Sequence, residues 1–270
     1  MKVIFAIGVT AMLAMAQPVF SHNSGSPSLR CNNNQSLELN YGLEIAEDEI
    51  RFVKNSAIEV VLSHNGDMVL GGEKPVLDSS SRAAIVTYQK SIRATVPQVR
   101  DIALEALAMA QQITSQVLTE LLGLRDDEVA GLQQMLQTAR DDITEHFDSE
   151  IVRYGSPKSN SWEGFSPLND HFDQNFDAVI EEVVDKAKFR ILGSLMREVF
   201  SRDGDLESFG KRMDAMGEQI EASTDTLAKN IEGKAEQLCE SFGIITQQER
   251  TVIDLVPGFE NYRLLSEREL

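Results

Sequence analysis

The chain has 270 residues, 42% of them hydrophobic, and its 43 acidic residues outnumber 25 basic ones for a formal net charge of −18. That apolar content supports a sizeable core and excludes disorder throughout. A field of this sign repels phosphate backbones and anionic lipid headgroups, which excludes nucleic acid as a partner of the general surface; the same charge also keeps a helical protein dispersed.

Met1-Lys2 is followed by an uncharged apolar run, Val3 to Ala16, then Gln17 and Pro18. This is the pattern of a cleaved secretory signal, too short to span a bilayer. Small residues suit cleavage after Ala16 or after Ser21, and Pro18 favours the second. No later run reaches the roughly 18 apolar residues a spanning helix needs. Cys31 does not directly follow the apolar run and is preceded by Arg30, so lipid attachment there is not expected.

Residues 22–34 are rich in Ser, Asn and Gly and read as a flexible leader. Residues 35–78 read as a small β section: Leu37, Leu39 and Tyr41 alternate with polar residues, and Ile58 to Leu62 faces Met68 to Leu70 across Asn65-Gly66. Both residues of that pair tolerate positive φ, the strongest short hairpin signal. Asp78 and Ser79 to Ser81 offer oxygens to cap a first helix.

That helix spans Ser80 to Gly123 and is the organising segment. Ile85, Tyr88, Ile92, Thr95, Val99, Ile102, Ala106, Met109 and Ile113 share one face at spacings of three and four. Leu104, Leu107, Leu118 and Leu122 begin a further row, an apolar surplus that makes them candidate partner-binding residues. Pro97 implies a kink near Arg93 or a break into two helices. A second helix carries Val129, Leu132, Leu136, Ala139, Ile143, Phe147 and Ile151 to about Tyr154, and a long loop with Trp162 follows. A third carries Leu168, Phe172, Phe176, Ile180, Val183, Ala187, Ile191, Leu195 and Val199. The fourth shows Leu206, Phe209, Met213, Met216, Ile220, Leu227, Ile231 and Leu238, close to a heptad. The expected fold is α+β, mainly α: a small amino-terminal antiparallel section, then an elongated bundle of four long helices over residues 79–241, and a tail over 242–270 with one short helix and a frayed end.

The signal sequence, a cysteine soon after it, the Asn65-Gly66 hairpin, Tyr88, Arg93 and Pro97 in a long helix, and a second cysteine near the end together resemble the YggN-type family of uncharacterised periplasmic proteins from gammaproteobacteria. The resemblance runs from about Cys31 to Ile253 and implies location, paired cysteines and strand-then-helix order, with no activity to carry over. Cys31 and Cys239 are the only cysteines, both lie in the exported part, and that compartment oxidises such pairs. An intramolecular disulfide is therefore expected, with intermolecular pairing as the alternative.

No catalytic motif stands out: there is no Gly-x-Ser-x-Gly elbow, phosphate loop, zincin motif or Glu-x-x-His pair. His22 at a new amino terminus has no rigid surroundings for a metal. Asp142, Glu145 and His146 share a helix face but read as solvated, His171 lies between Asp170 and Asp173 at a helix start, and Met213 with Met216 reads as core filler. No cofactor is expected. The leading reading is a non-enzymatic binding or chaperone-like envelope protein whose partner is an envelope protein or peptide. A metal-dependent hydrolase assembled from Asp142, His146 and His171, or a helical oligomer, are the alternatives. The signal reading is checked by amino-terminal sequencing of exported protein, which should begin at His22; a protein retaining Met1 excludes this route.

Overall fold

The computed structural model describes residues 29–31, 35–116, 118, 124–155, 179, 181, 183 and 206–269. The expected hairpin is present. Strands β5 (Ala57–Ser63) and β6 (Met68–Leu70) pair antiparallel, with Gly66 at φ 87° in the turn between them. A Cβ at Gly66 would lie 2.5 Å from the Arg82 carbonyl oxygen, so glycine is required both by the backbone conformation and by the close approach of the following helix.

A second hairpin precedes it. Strand β4 (Glu49–Lys54) pairs with β5 through Lys54 and Ala57, and the two residues between them, Asn55 and Ser56, both have positive φ. That is the turn whose twist suits two-residue hairpins. Strand β3 (Gly42–Ala46) pairs with β4 on one side. On its other side it takes β7 (Ile151–Tyr154) from beyond the second helix, giving a five-stranded antiparallel sheet in the order β6-β5-β4-β3-β7. Leu43, Ile45, Ile50, Phe52, Val60, Leu62 and Met68 are buried at period two. On polar positions Glu44 lies opposite both Arg51 and Arg153 and forms ion pairs of 3.2 Å with each.

Helix α1 (Ser79–Gln116) starts where Asp78 caps it: Asp78 Oδ1 accepts from the Ser81 amide at 2.7 Å and the Ser81 hydroxyl at 2.8 Å. Those bonds hold its carboxyl below the usual carboxylate range. The helix continues through Pro97 without a break. Of its predicted stripe, Ile85, Tyr88, Ile92, Thr95, Ile102 and Met109 are buried, Val99 is half-buried and Ala106 is exposed.

Helix α2 (Asp126–Asp148) ends six residues earlier than expected, because Ile151 continues the helical spacing by coincidence while Ile-Val-Arg-Tyr is a β-rich run. Ser149 closes the helix, its hydroxyl donating to the His146 carbonyl at 2.6 Å. Helix α3 (Leu206–Leu255) is 50 residues long and runs well past the expected end near Leu238. Leu238, Ile245 and Val252, seven apart, are buried within this chain. A short 3-10 turn, Phe259–Tyr262, leads into β8 (Leu265–Glu269). Strand β8 pairs with β2 (Gln35–Leu39), and β2 pairs with β1 (Leu29–Cys31), making a three-stranded sheet in the order β1-β2-β8.

The expected small β section followed by a bundle of four long helices is corrected. Among the described residues three helices are present, and of the stripe expected over residues 168–199 only Val183 is described. It is buried beside Leu124 and Val129. The chain divides into two compact units, the first holding Met1–Arg100, His146–Phe165 and Glu232–Leu270, the second Asp101–Glu145 and Ser166–Ile231. About the first six turns of α1 and the last turns of α3 therefore belong with the sheets. The expected bundle has the α1 stripe meeting other helices, whereas Ile85 and Tyr88 share the first unit with Phe52 and Leu62, as do Ile245 and Val252 from the segment expected to be a tail.

Cys31 in β1 and Cys239 in α3 form a disulfide, with Cα atoms 5.6 Å apart across 208 positions of sequence. Closing a loop of that length is worth about 5 kcal/mol as an upper figure in the chain-entropy model. The double substitution Cys31→Ser with Cys239→Ser should lower the stability of the oxidised protein by about 2–5 kcal/mol in urea unfolding, and wild type in reductant should match it.

Candidate functional site

Two places in the structure gather side chains in ways that local structure alone does not require. The first is a buried polar cluster in the sheet unit. Tyr88 of α1 is fully buried and donates its hydroxyl to Glu249 Oε1 of α3 at 2.8 Å. The same oxygen accepts the Leu264 amide at 2.6 Å. Glu249 is only 2% exposed. Burial pushes its carboxyl above the ordinary glutamate value, against hydrogen bonds from the Leu264 amide and Tyr88 that pull it down. Burial, together with the Glu249 charge, likewise raises the Tyr88 phenol.

Around this pair the chain is tied repeatedly. Tyr88 meets Phe259 edge to face at 6.1 Å, Ser81 Oγ donates to the Leu255 carbonyl at 3.3 Å, and Tyr41 donates to the Asn261 carbonyl at 3.2 Å. Farther along α1, Gln89 Nε2 donates to the His64 carbonyl at 3.1 Å and its Oε1 accepts from Arg93 Nε at 2.9 Å. Arg93 Nη1 donates to the Ala46 carbonyl, and burial lowers the guanidinium's pKa. Arg82, Gln89 and Arg93 thus fasten successive turns of α1 to the β5–β6 and β3–β4 turns. These bonds join α1, the end of α3 and the strand turns to one another.

The second place is a pocket of about 320 Å³ between α1 and α2 in the second unit. Leu118, Val129, Leu132 and Leu136 supply its apolar lining, Gln111, Gln112, Gln116 and Gln133 its amides, and Thr114 and Ser115 its hydroxyls. Leu132 and Leu136 are buried, while Gln112 and Gln133 are exposed. Placing α2 is straightforward from sequence: Glu128 accepts the Arg125 amide at 2.8 Å at its start, and Asp126, Asp127 and Glu128 suit the positive helix end.

The candidate row of α1 is only partly brought together. Leu118 lines the pocket and packs against Leu124, Val129 and Val183. Leu104 and Leu107 are half-buried and not part of the lining. Leu122 lies outside the described residues, as do His22, Trp162, His171 and the side chains of Met213 and Met216. His146 is occupied by its own neighbourhood, its Nε2 lying 3.1 Å from the Arg153 carbonyl, and burial lowers its pKa. Among the described residues no three His, Cys, Asp or Glu side chains are grouped so as to hold a metal ion.

Sequence reasoning passed over the glutamines and Glu249. A signal existed for the former: Gln111-Gln112 and Gln133-Gln134 are adjacent amide pairs beside apolar helix positions. For Glu249 there was none, since a glutamate in an acidic helix reads as solvated.

Residues 36–265 match the family model described as Protein of unknown function (DUF2884). No curated protein and no solved structure matches the chain.

The buried carboxylate gives a signed pH dependence. Its folded pKa lies above the ordinary value, so the folded state holds this proton to higher pH than the unfolded chain does, and stability falls as pH rises from the ordinary carboxylate range through the raised folded value. Glu249→Gln should remove that fall in urea titrations from acidic to neutral pH. Glu249→Ala should cost about 2–4 kcal/mol at acidic pH, since the Tyr88 hydroxyl and Leu264 amide then lose their acceptor, and less as pH rises through the raised folded value, because wild type alone loses stability there.

Proposed function

The chain belongs to the DUF2884 family of proteins of unknown function, and from that premise we propose that it is a non-catalytic binding protein of the bacterial periplasm, one that engages envelope proteins or peptides. The observation that carries this reading is the uncharged, apolar-floored pocket between α1 and α2. Hydrolytic chemistry at neutral pH calls for a tuned acid or base, an activated nucleophile or a metal. None of the side chains lining this pocket is a carboxylate, imidazole, thiol or amine, so its two hydroxyls, Thr114 and Ser115, have no base beside them in the lining.

Location is supported by the Cys31–Cys239 disulfide, by the apolar amino-terminal run, and by the resemblance to the YggN-type proteins. Among the described residues no helix is long and apolar enough to cross a membrane. A binding protein in that compartment works without ATP-driven refolding, and a disulfide closing 208 residues suits such service. The helical-oligomer alternative is disfavoured for the lower part of α3, because Leu238, Ile245 and Val252 are consumed inside the chain.

Ala108 is exposed and lines the pocket. Ala108→Trp should fill it without loss of helical circular dichroism. Wild type should bind a hydrophobic dye in its native state and delay aggregation of a denatured model client, and the variant should lose about tenfold in both, roughly the 1.4 kcal/mol expected from a filled apolar site. A native protein that binds no dye and delays no client sinks the reading.

A further inference from the structure

The pocket's chemistry is narrower than apolarity. Leu118, Val129, Leu132 and Leu136 form an aliphatic floor, and four glutamines, Gln111, Gln112 and Gln133 among them, stand beside it with two hydroxyls, with no charged side chain in the lining of a chain that is 25% charged. A carboxylate or ammonium brought onto that floor would leave water without a counter-charge, at a cost of several kcal/mol. A ligand that must place a charged group on that floor is therefore rejected.

A primary amide carries both donors and an acceptor, the same complement that every peptide unit offers. Glutamines beside an aliphatic floor can thus pair with an extended backbone whatever its side chains. A helix gives them nothing, because its donors and acceptors are already paired within it. A volume of about 320 Å³ is at the small end of ligand sites, with room for one or two side chains.

We infer that this pocket takes a short, uncharged, extended stretch of polypeptide, held by backbone hydrogen bonds to Gln111, Gln112 and Gln133 and by one or two aliphatic side chains on the leucine floor. The inference rests on the binding reading above and names its ligand. Recognition of this kind tolerates sequence and rejects charge, and it selects unfolded chain over a folded helix.

The probe is a fluorescent heptapeptide of Leu and Ser, blocked at both ends, titrated into the full chain in about 0.5 M salt so that the protein's net charge is screened. The neutral peptide should bind. Replacing the residues flanking Leu by Glu or by Lys should weaken it at least tenfold, and N-methylation of alternate backbone amides should weaken it about tenfold, the equivalent of one or two hydrogen bonds. Dodecanoate should not compete. The triple variant Gln111→Leu, Gln112→Leu, Gln133→Leu should keep dye binding and lose the distinction between plain and N-methylated peptide. Equal binding of the N-methylated peptide, or displacement by dodecanoate, overturns the inference. Dye binding with no peptide binding overturns it and leaves the binding reading standing; absence of both overturns the two together.

Discussion

One carboxylate oxygen holds three distant pieces of this chain at a single point. Glu249 Oε1 belongs to the lower part of α3, receives the Tyr88 hydroxyl from α1, and receives the Leu264 amide at the entrance to β8. A buried acceptor with two donors is costly to disturb, because removing any one group strands the others away from water. Its position decides where α1 crosses α3 within this unit and where the last strand begins. From there Asn40 continues the tie, its side chain donating to the Arg263 carbonyl at 3.0 Å and its Oδ1 accepting from Ser266. The alignment of β8 along β2 follows from these fixed contacts.

Much of this was legible in sequence where a residue's neighbours are local. The stripe Ile85, Tyr88, Ile92, Ile102 and Met109 is buried as its spacing implies, and Asp78 caps α1 as an aspartate before three serines should. The Asn65-Gly66 turn follows from backbone sterics alone. What failed to show was which partner each stripe meets. A helical face records that it needs covering, and leaves open whether a sheet or a helix covers it. Ile151 shows the same limit at finer grain: four residues after Phe147 it extends a helical pattern, yet it pairs with Ala46 in a strand. Pairing is a long-range fact, and the short run Ile-Val-Arg-Tyr held only the weak hint of β-rich composition. Asn55-Ser56 carries a weaker turn signal than Asn65-Gly66, since it has no glycine, yet both its residues take positive φ.

The two units put polar groups to opposite use. In the sheet unit glutamine and glutamate side chains are spent inward: Gln89 and Glu249 are buried and bonded to protein. In the second unit Gln112 and Gln133 face solvent beside an aliphatic floor. The disulfide joins β1 and α3 within the first unit, so the covalent reinforcement and the densest hydrogen bonding coincide. The pocket sits in the unit that lacks both among its described residues.

The pairing of β2 with β8 also sets an order of events. Tyr41 bonds a carbonyl 220 residues away and Asn40 one 223 away, so the three-stranded sheet cannot close until nearly the whole chain is present. Contacts this remote in sequence are slow to form, since the loop entropy must be met before any bond rewards it. Strands β3 to β6 and their hairpins can form early, with Leu43, Ile45, Phe52 and Leu62 awaiting α1 and the end of α3. A chain built this way leaves β2 without its second partner until residue 265 has been made.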